Sequence, residues 1–342
     1  MSAGLAESFR RLIAHGGPIS VTRFMGESNA RYYATRDPLG AAGDFITAPE
    51  ISQMFGELAG LWLAHVWDRA GRPQDAIYAE LGPGRGTLAK DALRAMAGGG
   101  LRPQVHLVEG SPALRALQAG ALPGARFHDS AAGLPQDRPL LLLANEFLDA
   151  LPIRQLVRTE AGWRERMVGL EGERFVFVAD PQPLDAARPE RFADSPVGTI
   201  VETNPGAAAV VEEIARRLTR QGGAALFIDY GHLEPRTGST LQAVRQHKKV
   251  DPLVQPGEAD LTAHVDFAAL ADIARRAGCS VRAATQGEWL ETMGIALRAE
   301  TLTGGAPERE ADIKAARERL TAPGQMGQLF KVLMLTAPDG ER

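Results

Sequence analysis

The sequence predicts a doubly wound α/β fold on a mostly parallel, seven-stranded sheet. Apolar runs alternate with amphipathic segments along most of the chain, which is typical of strands connected by helices. A glycine-rich turn separates the first of these strands from its helix, as in Rossmann-like folds. The run Leu140 to Leu143 is uninterrupted and apolar, as expected of a central parallel strand buried on both faces.

The first 70 residues are predicted to form a helical cap ahead of the sheet. Apolar residues at helical spacing from Leu5 to Ile13 indicate a helix that ends at Gly16-Gly17-Pro18. An irregular stretch around Tyr32 follows. The segment Thr47-Ala48-Pro49-Glu50 has the pattern of a capping box, which predicts that a helix begins there.

Residues 71–342 are predicted to form the sheet domain. Apolar runs place its strands at Asp75 to Glu80, Gln104 to Val108, a short run ending at Phe127, Leu140 to Leu143, Ala224 to Ile228, Val281 to Ala284 and Leu329 to Leu335. Alternating stretches at about 151–200 indicate an inserted β-meander. Residues 288–322 read as a helical insertion, and residues 232–264 as a polar, irregular segment.

Composition excludes several classes of protein. A formal net charge of −4 gives no electrostatic footprint for nucleic acid. The apolar runs are too short to cross a bilayer, and the first residues lack a secretory signal. A single cysteine, Cys279, excludes an internal disulfide, and the histidines show no ligand spacing, so no metal is expected. We expect a cytoplasmic bacterial enzyme, with the mitochondrial matrix as the alternative.

The most specific motif is the glycine-rich turn that follows Glu80. Gly82, Gly84 and Gly86 allow positive φ angles and close approach of a ligand. A dinucleotide-binding turn is the obvious rival, but its third glycine would fall at Thr87 here. Glu80 also suits a cationic ligand better than a pyrophosphate. The turn therefore predicts a site for S-adenosylmethionine (SAM), which carries a cationic amine and a sulfonium and has no phosphate.

Polar residues at the carboxyl ends of the strands should meet at one edge of the sheet. Glu109 lies 23 positions after Gly86, and its carboxylate can accept two hydrogen bonds from a ribose diol. Asp129 can accept from an adenine amino group or cap the following turn, and Asn145 offers a donor and an acceptor near the methyl group. The predicted cofactor-binding residues are therefore Glu80, Gly82, Gly84, Gly86, Thr87, Glu109, Asp129, Ser130 and Asn145.

Glu146 is the candidate for chemistry. Methyl transfer from a sulfonium is an in-line displacement, so the enzyme must aim a lone pair and exclude water. The Glu146 carboxylate can orient or deprotonate an amine or guanidinium, unless it is a local helix cap. The other predicted catalytic residues are Asn145 and Asp149. The predicted substrate-binding residues are Glu50, Thr47, Tyr230 and His264, of which Glu50 and His264 have helix capping as an alternative role.

Several segments together resemble the MidA-type SAM-dependent methyltransferases. They are residues 43–52 (GDFITAPEIS), 80–86 (ELGPGRG), 145–152 (NEFLDALP), 229–231 (DYG) and 251–267. The family includes the mitochondrial complex I assembly factor that methylates arginine. The resemblance implies a class I methyltransferase fold, arginine in a protein as the acceptor, and a role in assembling respiratory complex I.

Arginine methyltransferases hold the guanidinium with paired acids, and Asn145 to Leu148 is similar to their first acidic element. Asp149 and Glu50 are the candidates for the second acid. Three functions remain open: methylation of arginine on a complex I subunit, methylation of a small molecule at nitrogen or oxygen, and assembly through SAM binding without turnover. An open acidic groove beside the cofactor would favour a peptide, and a closed apolar cavity a small molecule.

Overall fold

A computed structural model describes residues 4–35, 47–184 and 190–338 of the chain. Residues 43–46 of the first segment that resembles the MidA type lie outside this description. The helices are α1 (Leu5–Gly16), α2 (Val21–Thr35), α3 (Ala48–Ile51), α4 (Gln53–Arg69), α5 (Thr87–Gly98), α6 (Pro112–Ala121), α7 (Pro205–Gln221), α8 (Phe267–Arg276), α9 (Gln286–Thr292), α10 (Ile295–Gly305), α11 (Glu310–Thr321) and α12 (Met326–Leu329).

The strands are β1 (Ile19–Ser20), β2 (Ile77–Leu81), β3 (Gln104–Val108), β4 (Arg126–His128), β5 (Leu140–Asn145), β6 (Arg154–Thr159), β7 (Gly162–Glu171), β8 (Arg174–Ala179), β9 (Ile200–Thr203), β10 (Gly223–His232), β11 (Gln242–Arg245), β12 (Lys248–Val250), β13 (Asp260–Thr262), β14 (Val265–Asp266), β15 (Ser280–Thr285) and β16 (Phe330–Thr336).

The main sheet has the strand order β15-β16-β10-β5-β2-β3-β4. Strands β4, β3, β2, β5 and β10 are parallel, whereas β16 runs antiparallel to both of its neighbours. The short strand β14 pairs with the end of β10 as an eighth member. The predicted doubly wound, seven-stranded sheet is confirmed. The strand order reverses between β2 and β5, which is where ligands bind in such sheets.

Strand β5 shows why the sheet is covered on both faces. Leu141 and Leu143 pack in a core with helices α4 and α5, whereas Leu140 and Leu142 pack with helices α7 and α8 on the other side. Alternate residues of a strand point to opposite faces, so an uninterrupted apolar run serves both cores. This burial fixes the depth and register of the residues that end the strand, Asn145 among them.

The inserted meander at about 151–200 is also present. Strands β6, β7, β8 and β9 form a second sheet, in which β1 pairs antiparallel with β7. Phe9 of α1 and Phe24 of α2 share a core with Val168 of β7. The N-terminal segment is therefore packed against the insertion as well as joined to the sheet domain through α4.

Three expectations about local structure are corrected. The stretch around Tyr32 belongs to helix α2, whose buried face carries the polar residues Ser28 and Asn29 beside Phe24, Met25 and Tyr32, so that its apolar stripe is interrupted. The segment 47–50 is not a capping box, because the Thr47 side chain makes no capping hydrogen bond and α3 lasts only one turn. Ser52 caps a separate helix, α4, by accepting from the Met54 N–H. Residues 232–264 are not irregular, since β10 continues to His232 and β11, β12 and β13 form a small antiparallel sheet.

Among residues 4–35, 47–184 and 190–338, no helix is long and apolar enough to cross a membrane.

Candidate active site

A cavity of about 660 Å³ lies at the carboxyl ends of β2, β3 and β5. Its size falls within the range of small-molecule sites, about 300–1,000 Å³. Of the predicted site residues, those that line it are Thr47, Glu50, Glu80, Gly82, Gly84, Thr87, Glu109, Asn145 and Glu146. Helix α2 contributes Gly26, Asn29 and Tyr33, which the sequence did not assign to the site.

The glycine-rich turn has the backbone that the sequence predicted. Gly82, Gly84 and Gly86 have φ angles of +60°, +53° and +82°. A Cβ atom added at Gly82 would lie 2.9 Å from the Phe147 ring, in a conformation that L side chains rarely adopt. Gly86 precedes the first residue of α5 and faces a neighbouring groove instead of the main cavity. The turn therefore brings backbone, without side chains, to the wall of the cavity.

Glu80 presents a carboxyl group from the end of β2. It is almost fully buried, and its Oε2 accepts a hydrogen bond from the Tyr78 hydroxyl. Burial raises the pKa of Glu80 to about 7. A buried carboxyl that is poised to ionise favours a cationic ligand at this point.

Glu109 ends β3 and is held at both oxygens. Its Oε1 accepts from the Ser111 N–H at 2.8 Å, and its Oε2 accepts from Gln118 Nε2 at 3.2 Å. Each carboxylate oxygen has a second lone pair, so both remain able to accept from a diol. Gln118 was missed by the sequence analysis, because it is the only buried residue of α6 and its neighbours on that face, Leu114 and Arg115, do not form an apolar stripe.

Asn145 and Glu146 line the cavity from the end of β5, the strand next to β2. Glu146 Oε1 accepts from Asn145 Nδ2 at 3.1 Å and from the Ala48 N–H at 3.3 Å. Burial, and then the charge of Asp229, raises the pKa of Glu146 to about 8. The buried Oδ1 of Asn145 has no hydrogen-bond partner in the described part of the chain.

A carboxylate on β10 holds Glu146 in place. Asp229 Oδ2 accepts from three consecutive N–H groups, those of Phe147, Leu148 and Asp149, at 2.8–3.2 Å. Glu146 has a φ of +50°, a conformation that costs free energy and is common at functional sites. The residues directly after β5, 146–153, form no helix, so helix capping does not explain Glu146.

Three further acids lie behind Glu146. Burial raises the pKa of Asp149, and the charges of Asp229, Asp260 and Glu146 raise it further. Asp229 has four backbone N–H donors that favour its charged form, so a proton shared by this pair resides on Asp149. Asp260 accepts from the Tyr33 hydroxyl at 2.7 Å. The acid cluster is therefore joined to the cavity wall through Tyr33.

Besides Gly86, five predicted site residues do not line the cavity. Asp129 and Ser130 lie outside the cavity, and the exposed Asp129 carboxylate pairs with Arg115 at 2.6 Å. Asp149 is buried behind the cavity wall. Tyr230 also stays outside, because its ring packs 4.1 Å from that of Phe330. The fifth residue, His264, lines a separate cavity of about 360 Å³ between α7 and α8, and burial lowers its pKa to about 4.

The residues present fit SAM as a ligand. The turn of three positive-φ glycines leaves room that a Cβ at Gly82 would fill, while Glu80 and Glu109 offer carboxylates for a cation and a diol. Asn145 lies in the same cavity wall, at the end of the strand next to that of Glu80. Fold and site together define a class I SAM-dependent methyltransferase.

Comparison with known proteins gives the family. Residues 58–285 match the profile of an S-adenosyl-L-methionine-dependent methyltransferase family, and the chain belongs to it. The protein arginine methyltransferase NDUFAF7 homolog, mitochondrial, of Drosophila melanogaster is 36% identical, with 97% of this chain and 84% of that protein covered. Protein arginine methyltransferase NDUFAF7, mitochondrial, is 37% identical in Xenopus tropicalis (92% and 81% covered) and 36% identical in Homo sapiens (93% and 80%).

A solved structure has the same fold and holds a product of SAM chemistry. A protein from Burkholderia thailandensis bound to S-adenosyl-homocysteine superposes with a TM-score of 0.85 at 30% identity, with 98% of this chain and 94% of that chain covered. SAM is therefore the cofactor of this enzyme.

Proposed function

We propose that this enzyme methylates an arginine side chain on a protein, and that the protein is a subunit of respiratory complex I. The named relatives are protein arginine methyltransferases, and the MidA-type resemblance implies the complex I subunit. The observation that carries the proposal is the Glu146 carboxyl in the cavity wall, with three more buried acids behind it. A cationic acceptor with several N–H donors satisfies this side of the cavity.

Bound SAM supplies an electrophilic methyl group. Glu146 accepts N–H donors of the guanidinium and thereby orients the attacking nitrogen. Arginine is protonated at neutral pH, so that nitrogen must lose a proton as it gains the methyl group. Glu146 Oε2 makes no hydrogen bond within the described residues and can accept this proton, because a pKa of about 8 allows the carboxyl to gain and lose a proton near neutral pH.

Helix α2 and the turn after β5 both line the cavity. Asn29 donates to the carbonyls of Ala150 and Leu261 and accepts from the Leu261 N–H, so it joins the helix to both segments. Tyr33 extends from the same helix to Asp260. We propose that these contacts shape the channel through which the arginine side chain reaches the methyl group. The cellular location stays a prediction: a bacterial cytoplasm, with the mitochondrial matrix as the alternative, and the named relatives are mitochondrial.

Deletion of the gene, followed by mapping of methylarginine on purified complex I by mass spectrometry, tests the acceptor. The modification should disappear and should return with the wild-type gene but not with Glu146→Gln. Modification that survives deletion would overturn the assignment, and label in a small metabolite alone would favour the small-molecule alternative. Normal complex I assembly supported by Glu146→Gln without any methylarginine would favour an assembly role without turnover.

A further inference from the structure

Gln118 connects the two parts of the cofactor site from outside the cavity. It lies on α6, is fully buried, and does not line the cavity itself. Its Nε2 donates to the Gly84 carbonyl at 2.7 Å and to Glu109 Oε2 at 3.2 Å. One amide group therefore joins the glycine-rich turn to the acid at the end of β3.

The orientation of this amide is determined by its neighbours. Both the Gly84 oxygen and the Glu109 carboxylate are acceptors, so the NH₂ group must face them. The Oε1 atom is then left buried without a partner in the described chain. An unpaired buried carbonyl costs stability, and a leucine of similar volume would avoid that cost. The hydrogen bonds that the NH₂ group donates to Gly84 and Glu109 therefore account for glutamine at this position.

Two consequences follow for the cofactor. The hydrogen bond to Gly84 fixes the peptide plane between Gly84 and Arg85, and in a trans peptide the N–H of Arg85 then points away from Gln118. The bond to Glu109 acts with the Ser111 N–H to hold the carboxylate at both oxygens. Loss of the amide would release the Gly84–Arg85 peptide and the Glu109 carboxylate at once.

We propose that Gln118 is a positioning residue for SAM, which sets the orientation of the Gly84–Arg85 peptide and of the Glu109 carboxylate. It acts on cofactor affinity through these two groups and has no part in acceptor binding. Its contribution should therefore appear in the Kd for the cofactor and not in kcat at saturating SAM.

The test compares Gln118→Leu with a matched control, Gln286→Leu. Gln286 is also fully buried, donates through Nε2 to a backbone carbonyl (Leu320, 2.9 Å) and leaves its Oε1 unpaired, but it lies on α9 away from the cavity. The Kd for S-adenosyl-homocysteine, measured by calorimetry, should rise by about tenfold or more in Gln118→Leu and stay unchanged in Gln286→Leu. An unchanged Kd in Gln118→Leu, or equal increases in both variants, would overturn the proposal.

A double-mutant cycle with Glu109→Ala separates positioning from a general loss of stability. If Gln118 acts in part through Glu109, the two substitutions together should weaken binding by less than the product of their separate effects. Strictly multiplicative effects would show that Gln118 does not act through this carboxylate and would contradict the proposal.

Discussion

The two sides of the cavity hold their acids in different ways. On the cofactor side, the oxygens of Glu80 and Glu109 accept hydrogen bonds from neutral donors, and the two acids lie at the ends of separate strands. On the proposed acceptor side, Glu146 belongs to a cluster with Asp149, Asp229 and Asp260, in which the charges of Asp229 and Asp260 raise the pKa of Glu146 and of Asp149. No lysine, arginine or histidine forms a salt bridge with Glu146, Asp149 or Asp229 within the described residues.

This difference shows which half of the site has its hydrogen bonds in place without a ligand. The cofactor side has its hydrogen bonds in place and needs only a ligand of the right shape. The acceptor side has an excess of carboxyl groups, which favours protonation until a cation arrives. We therefore expect substitutions on the two sides to separate cofactor binding from methyl transfer.

The largest effect should come from Gly84→Val, which should abolish measurable SAM binding. A branched side chain at a φ of +53° strains the turn and places bulk at the cavity wall. Gly172→Val is the matched control, because Gly172 has a φ of +59° in the hairpin between β7 and β8 with open space around it. Calorimetric titration should show normal affinity in the control; normal affinity in Gly84→Val would remove the turn from the cofactor site.

Glu146→Gln should reduce methyl transfer by about 10²-fold or more while the Kd for SAM is kept. Glutamine retains the size and one acceptor but cannot take a proton or pair with a guanidinium. Single-turnover transfer and calorimetry on the same preparation measure both quantities. Equal transfer rates in the variant and the wild type would rule out Glu146 as the acid that orients the acceptor.

Glu109→Ala should weaken SAM binding by about 1.5–3 kcal/mol, the usual scale for hydrogen bonds to a charged group. Glu202→Ala is a suitable control, since Glu202 also ends a strand and accepts from backbone N–H groups and a glutamine amide, but lies outside the cofactor cavity. A wild-type Kd in Glu109→Ala would place the ribose elsewhere.

A further effect concerns stability and its dependence on pH. The folded pKa of Glu146 is about 8, above its usual 4.5, so the folded protein holds an extra proton between these values. The stability that this proton provides is present at low pH and is lost as pH rises through about 8. Denaturant titrations between pH 5.5 and 8.5 should therefore show a larger loss of stability in the wild type than in Glu146→Gln. Parallel profiles would show that Glu146 is already ionised in the folded enzyme.

Local patterns were sufficient to predict the sheet and the cofactor turn. The run Leu140 to Leu143 and the glycines after Glu80 each specify their own backbone, because burial on two faces and positive φ are readable from a few residues. Helix α2 was missed because Ser28 and Asn29 interrupt the apolar stripe on its buried face. The strand-end rule located Asp129, but the neighbouring Arg115 decides where its side chain lies.

Other parts of the site depend on contacts distant in sequence. Tyr33 reaches Asp260 across 227 residues, and Asn29 reaches Leu261 across 232. The two hydrogen-bond partners of Gln118 come from separate strand ends, Gly84 from the turn after β2 and Glu109 from the end of β3. No spacing rule in a single sequence contains such pairings.

We expect the acceptor side of the cavity to hold protons until a cation binds. Calorimetry of N-acetyl-arginine amide binding to the enzyme saturated with S-adenosyl-homocysteine, at pH 7 in buffers with different ionisation enthalpies, measures this proton release. Release of about one proton per bound guanidinium is predicted, because a carboxyl group with a pKa near 8 is mostly protonated at pH 7. The neutral isostere N-acetyl-citrulline amide should bind more weakly and release none. Guanidinium binding without proton release, or equal binding of the two compounds, would contradict the account.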